Sequence, residues 1–260
     1  QDSGFRPGAR AKVVYGSAAD DFRSRLEAYG ASTDFKYLVG WSFRDIDDVE
    51  GGRGEGTLDP SSGKDCNLDG KVQFRTSEDS ELTVSGQAIQ RRDIYRYYRP
   101  NQHNQNYRYG LNVEWSAEEL TDFWDQFRAN VYYQHKEDKR TWFNNGDHGK
   151  AEWVTWAGNV QAETLLGGGH RLVYGISMNR TDGESPDDEQ FTITQSDGTK
   201  WKPTPDSTWD NIGGFLMDRW QVTEQLALTG SIRYDWFRFD SDPDRFYQPA
   251  GGQPASNDDF

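Results

Sequence analysis

A period of two is the feature that most constrains what this chain can fold into. At 35–44, Phe35, Tyr37, Val39, Trp41 and Phe43 alternate with Lys36, Leu38, Gly40, Ser42 and Arg44. Successive strand side chains point to opposite sides, so one face of this ribbon is greasy and the other wet. The same beat returns in Phe22, Leu26 and Ala28, in Tyr107, Tyr109, Leu111, Val113 and Trp115, in Leu172, Tyr174, Ile176 and Met178, and in Leu226, Leu228, Ile232, Tyr234 and Trp236. Weaker versions occupy 11–15, 68–75, 82–90, 127–134, 154–165 and 212–217. About eleven such segments predict an all-β antiparallel meander, and no helix-length stretch of period 3.6 interrupts it.

The surroundings of this meander follow from composition. A soluble domain of 260 residues should bury a large aliphatic core, yet only 33% of this chain is hydrophobic, and its apolar content is unusually aromatic, with 10 Trp, 13 Tyr and 14 Phe. Disorder would fit the low hydrophobicity and the net charge of -14 but not the aromatics. Trp and Tyr suit strand faces and membrane interfaces. No run of about 18 apolar residues exists for a transmembrane helix, whereas a barrel strand needs only about ten residues of alternating character.

Connection lengths point the same way. From residue 35 onward, long segments at 45–67, 92–106, 136–152 and 181–210 alternate with short ones at 76–81, 116–125, 166–170 and 221–225. Outer-membrane barrels keep short turns at the periplasmic rim and long loops outside, whereas a soluble sandwich has no reason to gather its long loops at one end. The expectation is therefore part of a transmembrane β-barrel with long extracellular loops and short periplasmic turns. Residues 1–8 carry neither a basic start nor an apolar stretch, so a mature chain or a fragment is expected. The single cysteine, Cys66, can form no internal disulfide. The acidic total, with no clustered basic face, excludes nucleic acid as a partner.

By the alternation, the wet face carries Arg10, Lys12, Arg23, Arg25, Lys36, Arg44, Lys71, Arg75, Arg108, Arg128, Arg171 and Arg233, with the acids mostly in loops. In a barrel this face is the lumen. Its basic groups would either attract an anionic ligand through charge-assisted hydrogen bonds or pair with lumenal carboxylates and a plug. Asp65, Asn67, Asp69 and Gly70 match the first half of a calcium loop, but position twelve is Thr76 rather than Glu, and Val72 and Phe74 already alternate as strand. The Gly-rich segment 51–56 has no following helix and reads as loop. With no nucleophile elbow, HExxH or CxxC pair, neither an enzyme nor a metal site is expected.

The segment 226–239, LALTGSIRYDWFRF, with the preceding IGGFLMDRWQV, resembles a paired strand element of the TonB-dependent outer-membrane receptors. VTWAGNVQAETLLGGGHRLVYGISMNRTDGES at 154–185 is similar to the haem and haemoglobin-type branch, and ELTVSGQAIQRRDIYRYYRP at 81–100 to a strand and loop that the family places earlier in its barrel. The resemblance implies a barrel of roughly 22 strands with an N-terminal plug. It implies that residues 1–260 are a partial barrel domain without plug, coupling box or the remaining strands, and 255–260 reads as loop rather than as a final strand.

It further implies energised uptake of an iron complex, a ferric siderophore or haem, across the outer membrane of a Gram-negative bacterium. The partners would be membrane lipid, the chelate itself and the TonB complex, reached through the absent N-terminal region, and no cofactor would be bound tightly. Since His and Tyr ligate haem iron, Tyr97, Tyr98, His103 and Tyr107 in the expected loop 97–109, with His135 and His148, are the candidate ligand contacts. His170, in an expected periplasmic turn, is a poor one. Two alternatives stay open: a general porin, and a soluble all-β carbohydrate-binding protein stacking sugars on Trp142, Trp153, Trp156 or Trp209.

Overall fold

The computed structural model describes residues 4–143, 146–186, 193–194, 200–201 and 205–242. Its strands are β1 (Arg6–Gly16), β2 (Asp21–Ala31), β3 (Phe35–Ile46), β4 (Val49–Gly51), β5 (Gly56–Leu58), β6 (Gly63–Arg75), β7 (Ser80–Tyr95), β8 (Gln102–Glu118), β9 (Gln126–Trp142), β10 (His148–Leu166), β11 (His170–Glu184), β12 (Ile193–Thr194), β13 (Lys200–Trp201), β14 (Asp206–Thr223) and β15 (Leu226–Asp242). Among the described residues the only helical pieces are short 3-10 turns at Gly52–Gly54 and Gly167–Gly169.

One 11-stranded sheet takes the order β1-β2-β3-β6-β7-β8-β9-β10-β11-β14-β15, each strand antiparallel to its chain neighbour. The all-β meander expected from the alternation is what forms, and every alternating segment lies within a strand of this sheet. The small hairpins β4–β5 and β12–β13 sit in the connections 47–62 and 185–205. The reading of 255–260 as loop lies outside the described residues.

The register carries the two faces coherently across the sheet. Trp41 pairs with Leu26 on one side and Leu68 on the other, and Leu68 pairs with Ala88. Further along, Val113 pairs with Val131, which pairs with Gly158, which pairs with Met178. Phe35 to Phe43 rises roughly 27 Å along the strand and, at a tilt of about 40°, about 20 Å across a bilayer, close to the roughly 25 Å apolar band of an outer-membrane barrel.

Aromatic rings edge this band at both ends. Phe35 and Phe74, with centroids 5.1 Å apart, and Trp115 and Phe127, 5.6 Å apart, lie toward the short turns. Trp41 and Phe43, 6.3 Å apart, and Tyr133 and Trp156, 4.7 Å apart, lie toward the other end. Just beyond the second edge the same face turns ionic: Lys64 sits 3.2 Å from Asp45, and Lys150 sits 3.2 Å from Glu137. Amphipathic rings at interface depth with charge outside them are the layout of a strand wall crossing a bilayer.

What separates this wall from a soluble sandwich is exposure. Ile176, Val131 and Val13 are 64%, 57% and 65% exposed, while the buried hydrophobic residues among those described are Ala117, Ala151, Ala162 and Val173. A sandwich would interdigitate those aliphatic and aromatic side chains against a second sheet; none of the described residues covers them here, and lipid is the solvent that can. A cysteine scan reads this directly. In a Cys66→Ser background reconstituted in lipid, Tyr132→Cys is expected to react with a charged, water-borne thiol reagent at least about tenfold faster than Val131→Cys. Equal rates at the two positions would mean that the faces do not differ in solvent.

Strand ends depart from the sequence reading. The connections expected at 45–67, 92–106 and 136–152 shrink to 47–62, 96–101 and 143–147, because β3, β7, β8, β9 and β10 run past the apolar band. Backbone pairing continues in water, whereas the hydrophobic alternation that reveals it stops where lipid stops. A register shift between Arg91 and Ile94 marks where β7 bends beyond the band.

Candidate functional site: the polar face

The opposite face is where chemistry can be held. The register puts Arg10, Lys12, Arg23, Arg25, Lys36, Arg44, Lys71, Arg75, Arg108, Arg128, Arg171 and Arg233 on it together. The acids expected mostly in loops share it: Asp21, Glu27, Asp69, Glu81, Glu114, Glu163 and Asp235 all lie within strands, and most of the cations meet one of them. Asp21 bonds Arg44 at 2.8 Å and also Arg23. Arg171 reaches Glu163 at 2.6 Å, Arg233 reaches Asp235 at 2.6 Å, Arg128 stands 3.7 Å from Glu114 and Lys36 4.0 Å from Glu81. Arg108 donates to Gln87 at 3.3 Å.

The longest of these ladders crosses four strands. Arg10 on β1 and Arg25 on β2 both bond Glu27, and Arg25 then spans β3 to grip Asp69 on β6 through two parallel bonds of 2.8 Å. It can do so because Gly40 lies beneath it. A Cβ there would collide with the Arg25 guanidinium and stand 3.0 Å from the Asp69 carboxylate. Asp65, Asn67 and Asp69 thus act as rungs of a strand, with Asp69 held by Arg25 and Asn67 and Asp65 3.5 Å from Arg91, rather than as a calcium loop.

At the end bearing the 17–20 and 47–62 connections, the ladder opens into a cavity of about 540 Å³ lined by Lys12, Arg23, Arg25, Arg44 and Arg91, with Asp65 as its carboxylate. Backbone bonds from Asp47 to Ala19 (2.9 Å) and from Glu50 to Ala18 (2.8 Å) tie the two connections above it. Lys12 has no ion-pair partner among the described residues. Four of the five cations at the cavity are engaged by carboxylates, Arg23 and Arg44 by Asp21, Arg25 by Glu27 and Asp69 and Arg91 by Asp65, which leaves the Lys12 ammonium as the unengaged positive charge at its wall.

The six candidate ligand contacts are not gathered in loops as expected. His103 and Tyr107 belong to β8, His135 to β9 and His148 to β10, and only Tyr97 and Tyr98 lie in a connection, both well exposed. The register sets His103, Tyr107, His135 and His148 on the lipid-facing side, above the aromatic edge. His103 forms a three-ring cluster with Tyr95 (5.7 Å) and Phe143 (5.2 Å), whose rings are themselves 6.3 Å apart. His135 Nε2 lies 3.1 Å from Glu152 and His148 Nδ1 3.1 Å from Thr141.

What the sequence reading missed is that Trp142, Trp153 and Trp209, named there only as stacking platforms of a soluble protein, share the polar face of β9 to β15 with Phe237, Phe239, amides and hydroxyls. The signal was present in 226–239, where Trp236 and Phe237 are adjacent aromatics and so must point to opposite faces. Trp156, by contrast, lies on the lipid-facing side.

The sequence profile of the family described as "TonB dependent receptor-like, beta-barrel" matches residues 40–260. The chain belongs to this TonB-dependent receptor barrel family. Its members are outer-membrane proteins of Gram-negative bacteria, transporters rather than enzymes, so the exposed apolar band is the lipid face of such a wall. The sheet of this receptor chain resembles the solved copper transporter OprC, at 19% identity and a TM-score of 0.75 over 97% of this chain and 40% of that one. It also resembles the FrpB iron transporter from Neisseria meningitidis (F3-3 variant), at 18% identity and a TM-score of 0.75 over 92% of this chain and 42% of that one. A third likeness is to the ferric enterobactin receptor of Pseudomonas aeruginosa, at 15% identity and a TM-score of 0.66, covering 90% and 39%. The receptor chain therefore spans about two fifths of the length of these structures, and the likeness is one of fold.

Proposed function

We propose that this chain is part of the wall of an outer-membrane receptor that takes up an anionic iron complex, a ferric siderophore or haem, and that its polar face lines the lumen. The observation that carries this reading is the cavity walled by Lys12, Arg23, Arg25, Arg44 and Arg91. Cations held on rigid strands level with the Trp41–Phe43 aromatic edge suit a ligand bearing carboxylate, phenolate or propionate oxygens. Among the described residues β1 and β15 are the outer strands of the sheet, and unpaired backbone is too costly in hydrocarbon to stand alone. In this reading further strands, a plug and a TonB-contacting segment lie in sequence beyond these residues, and the wall passes ligand without transforming it.

Of the six candidate contacts, the exposed Tyr97 and Tyr98 are the ones in a connection and free to meet an approaching ligand, whereas His103 is packed with Tyr95 and Phe143 on the lipid-facing side. Titrating the full-length receptor with haem and with a ferric siderophore tests both parts. Lys12→Ala combined with Arg91→Ala is expected to weaken the preferred ligand by about tenfold or more, since a hydrogen bond to a charged group contributes roughly 1.5–3 kcal/mol. His103→Ala is expected to shift haem affinity only if haem is that ligand. Unchanged binding of both ligands in the double variant would remove the cavity as the capture site.

A further inference from the structure

The carboxylates that match the cavity's cations do not stand alike. Asp65 is part of the cavity wall, whereas Asp21 holds two of the lining arginines from outside the lining. Arg23 reaches it through Nε at 2.8 Å, and Arg44 through Nε at 2.9 Å and Nη2 at 2.8 Å. At 8% exposure Asp21 is nearly sealed from water, so these guanidinium groups are what compensates its charge.

Position gives the pairing a second consequence. Asp21 opens β2 directly after the turn 17–20, and Arg44 lies close to the end of β3. Their bonds therefore clasp β2 to β3 just below the place where the turn receives the 47–62 connection. There the carbonyl of Ala19 accepts from the Asp47 N–H (2.9 Å) and that of Ala18 from the Glu50 N–H (2.8 Å). The turn is itself under tension, since Asp20 sits at φ 42°, in the left-handed region that costs a non-glycine residue free energy. Ser61 Oγ accepts from the Val49 N–H at 2.8 Å, and Val49 pairs with Leu58, so the β4–β5 hairpin follows 47–50 as a unit.

We infer that Asp21 is a positioning residue that couples occupancy of the cavity to the 47–62 connection: an anionic chelate draws Arg23 and Arg44 onto itself, Asp21 loses its partners, and the two main-chain bonds above it open. The inference rests on the iron-complex reading of the cavity. Competition is built into the site. Among the described residues Lys12 alone offers an unengaged charge there, so a ligand with several anionic oxygens gains more only by taking arginines already in use. A buried carboxylate stripped of its cations does not stay buried, and the route of Asp21 to water is to swing out with its turn. Linkage makes the effect reciprocal: loosening the clasp by other means raises affinity for the chelate.

Hydrogen–deuterium exchange of the full-length receptor in detergent, read on peptides covering 46–51, tests the coupling beside a binding titration with a ferric tris-catecholate and with haem. Bound ligands ordinarily rigidify and protect. Here whichever complex binds is expected to speed exchange of the Asp47 and Glu50 amides about tenfold. Asp21→Asn is expected to reach that fast exchange without ligand and to bind the complex several-fold tighter, the complex then adding little. Asp65→Asn frees Arg91 without touching the 17–20 turn, and is expected to tighten binding and leave exchange at 46–51 unchanged. A merely structural carboxylate would give fast exchange in Asp21→Asn but no response of the wild-type receptor to ligand. A bound complex that leaves wild-type exchange at 46–51 unchanged or slower, or an Asp21→Asn receptor that exchanges like wild type, would overturn the coupling. Failure of the wild-type receptor to bind either complex would instead remove the cavity reading, and the coupling with it.

Discussion

Ile176→Arg is expected to cost about 2–4 kcal/mol of folding stability in a lipid bilayer, the range for Arg at the bilayer midplane on the outside of a strand barrel. Ile176 sits in the middle of the band, between Val160 on β10 and Gly214 on β14, and is 64% exposed with no protein neighbour to receive a guanidinium. Its chain neighbours Gly175 and Ser177 are on the polar side, so no small backbone adjustment brings an arginine at 176 into water without slipping the register of the whole strand. Urea titration of the full-length receptor folded into vesicles should show a lower midpoint with little change in slope. Ser177→Arg, one residue away on the wet face, should move the midpoint much less. Equal losses at 176 and 177 would mean that the two faces do not see different solvents, and the membrane-wall reading would fail with that result.

That one-residue contrast is also why so much of the fold was legible in the sequence. Lipid imposes its demand at every second residue, so Phe35 to Phe43 and Leu172 to Met178 announce both their strand and its orientation, and all eleven strands of the sheet follow from the same rule. The rule falls silent where lipid ends. The strand portions 102–106, 136–141 and 148–152 are largely polar on both faces, so their sequence reads as loop although backbone pairing carries them as strand, which puts His103 and His148 in expected loops and His135 beside one. The polar face was legible in sign but not in pairing. Alternation assigns Arg25 and Asp69 to one side, but their contact depends on β2, β3 and β6 lying side by side across the intervening 47–62 connection. Nor does alternation explain aromatics on the wet side: Trp153 and Trp209 break the binary pattern, and places where local rules fail are where function is to be sought.

Gly40→Val is expected to do more damage than its half-polar surroundings suggest. The position is buried although it lies on the wet face, because Arg25 passes directly over it on the way from β2 to β6. Two methyl groups there occupy the path of the guanidinium. Either the side chain of Arg25 is pushed off, which frees Asp69 and leaves Glu27 with Arg10 alone, or β3 moves and strains its pairing with Glu27 on β2 and Asp69 on β6. Overpacking of this kind costs about 1–3 kcal/mol, and the ion pair adds only modestly because Arg25 remains 31% exposed to water. The functional consequence is the larger one. Arg25 lines the cation-rich cavity with its charge already matched by Glu27 and Asp69, so releasing it makes the cavity more positive without adding a residue. A Gly40→Val receptor is therefore expected to unfold at lower urea and yet bind an anionic chelate with equal or higher affinity, with a steeper dependence on ionic strength. Asp69→Asn, which loosens the same arginine without adding bulk, should reproduce the binding effect with less of the stability loss. If both variants instead lose chelate affinity in step with stability, the ladder orders the site rather than restraining its charge, and Arg25 holds the ligand from the very position in which Asp69 fixes it.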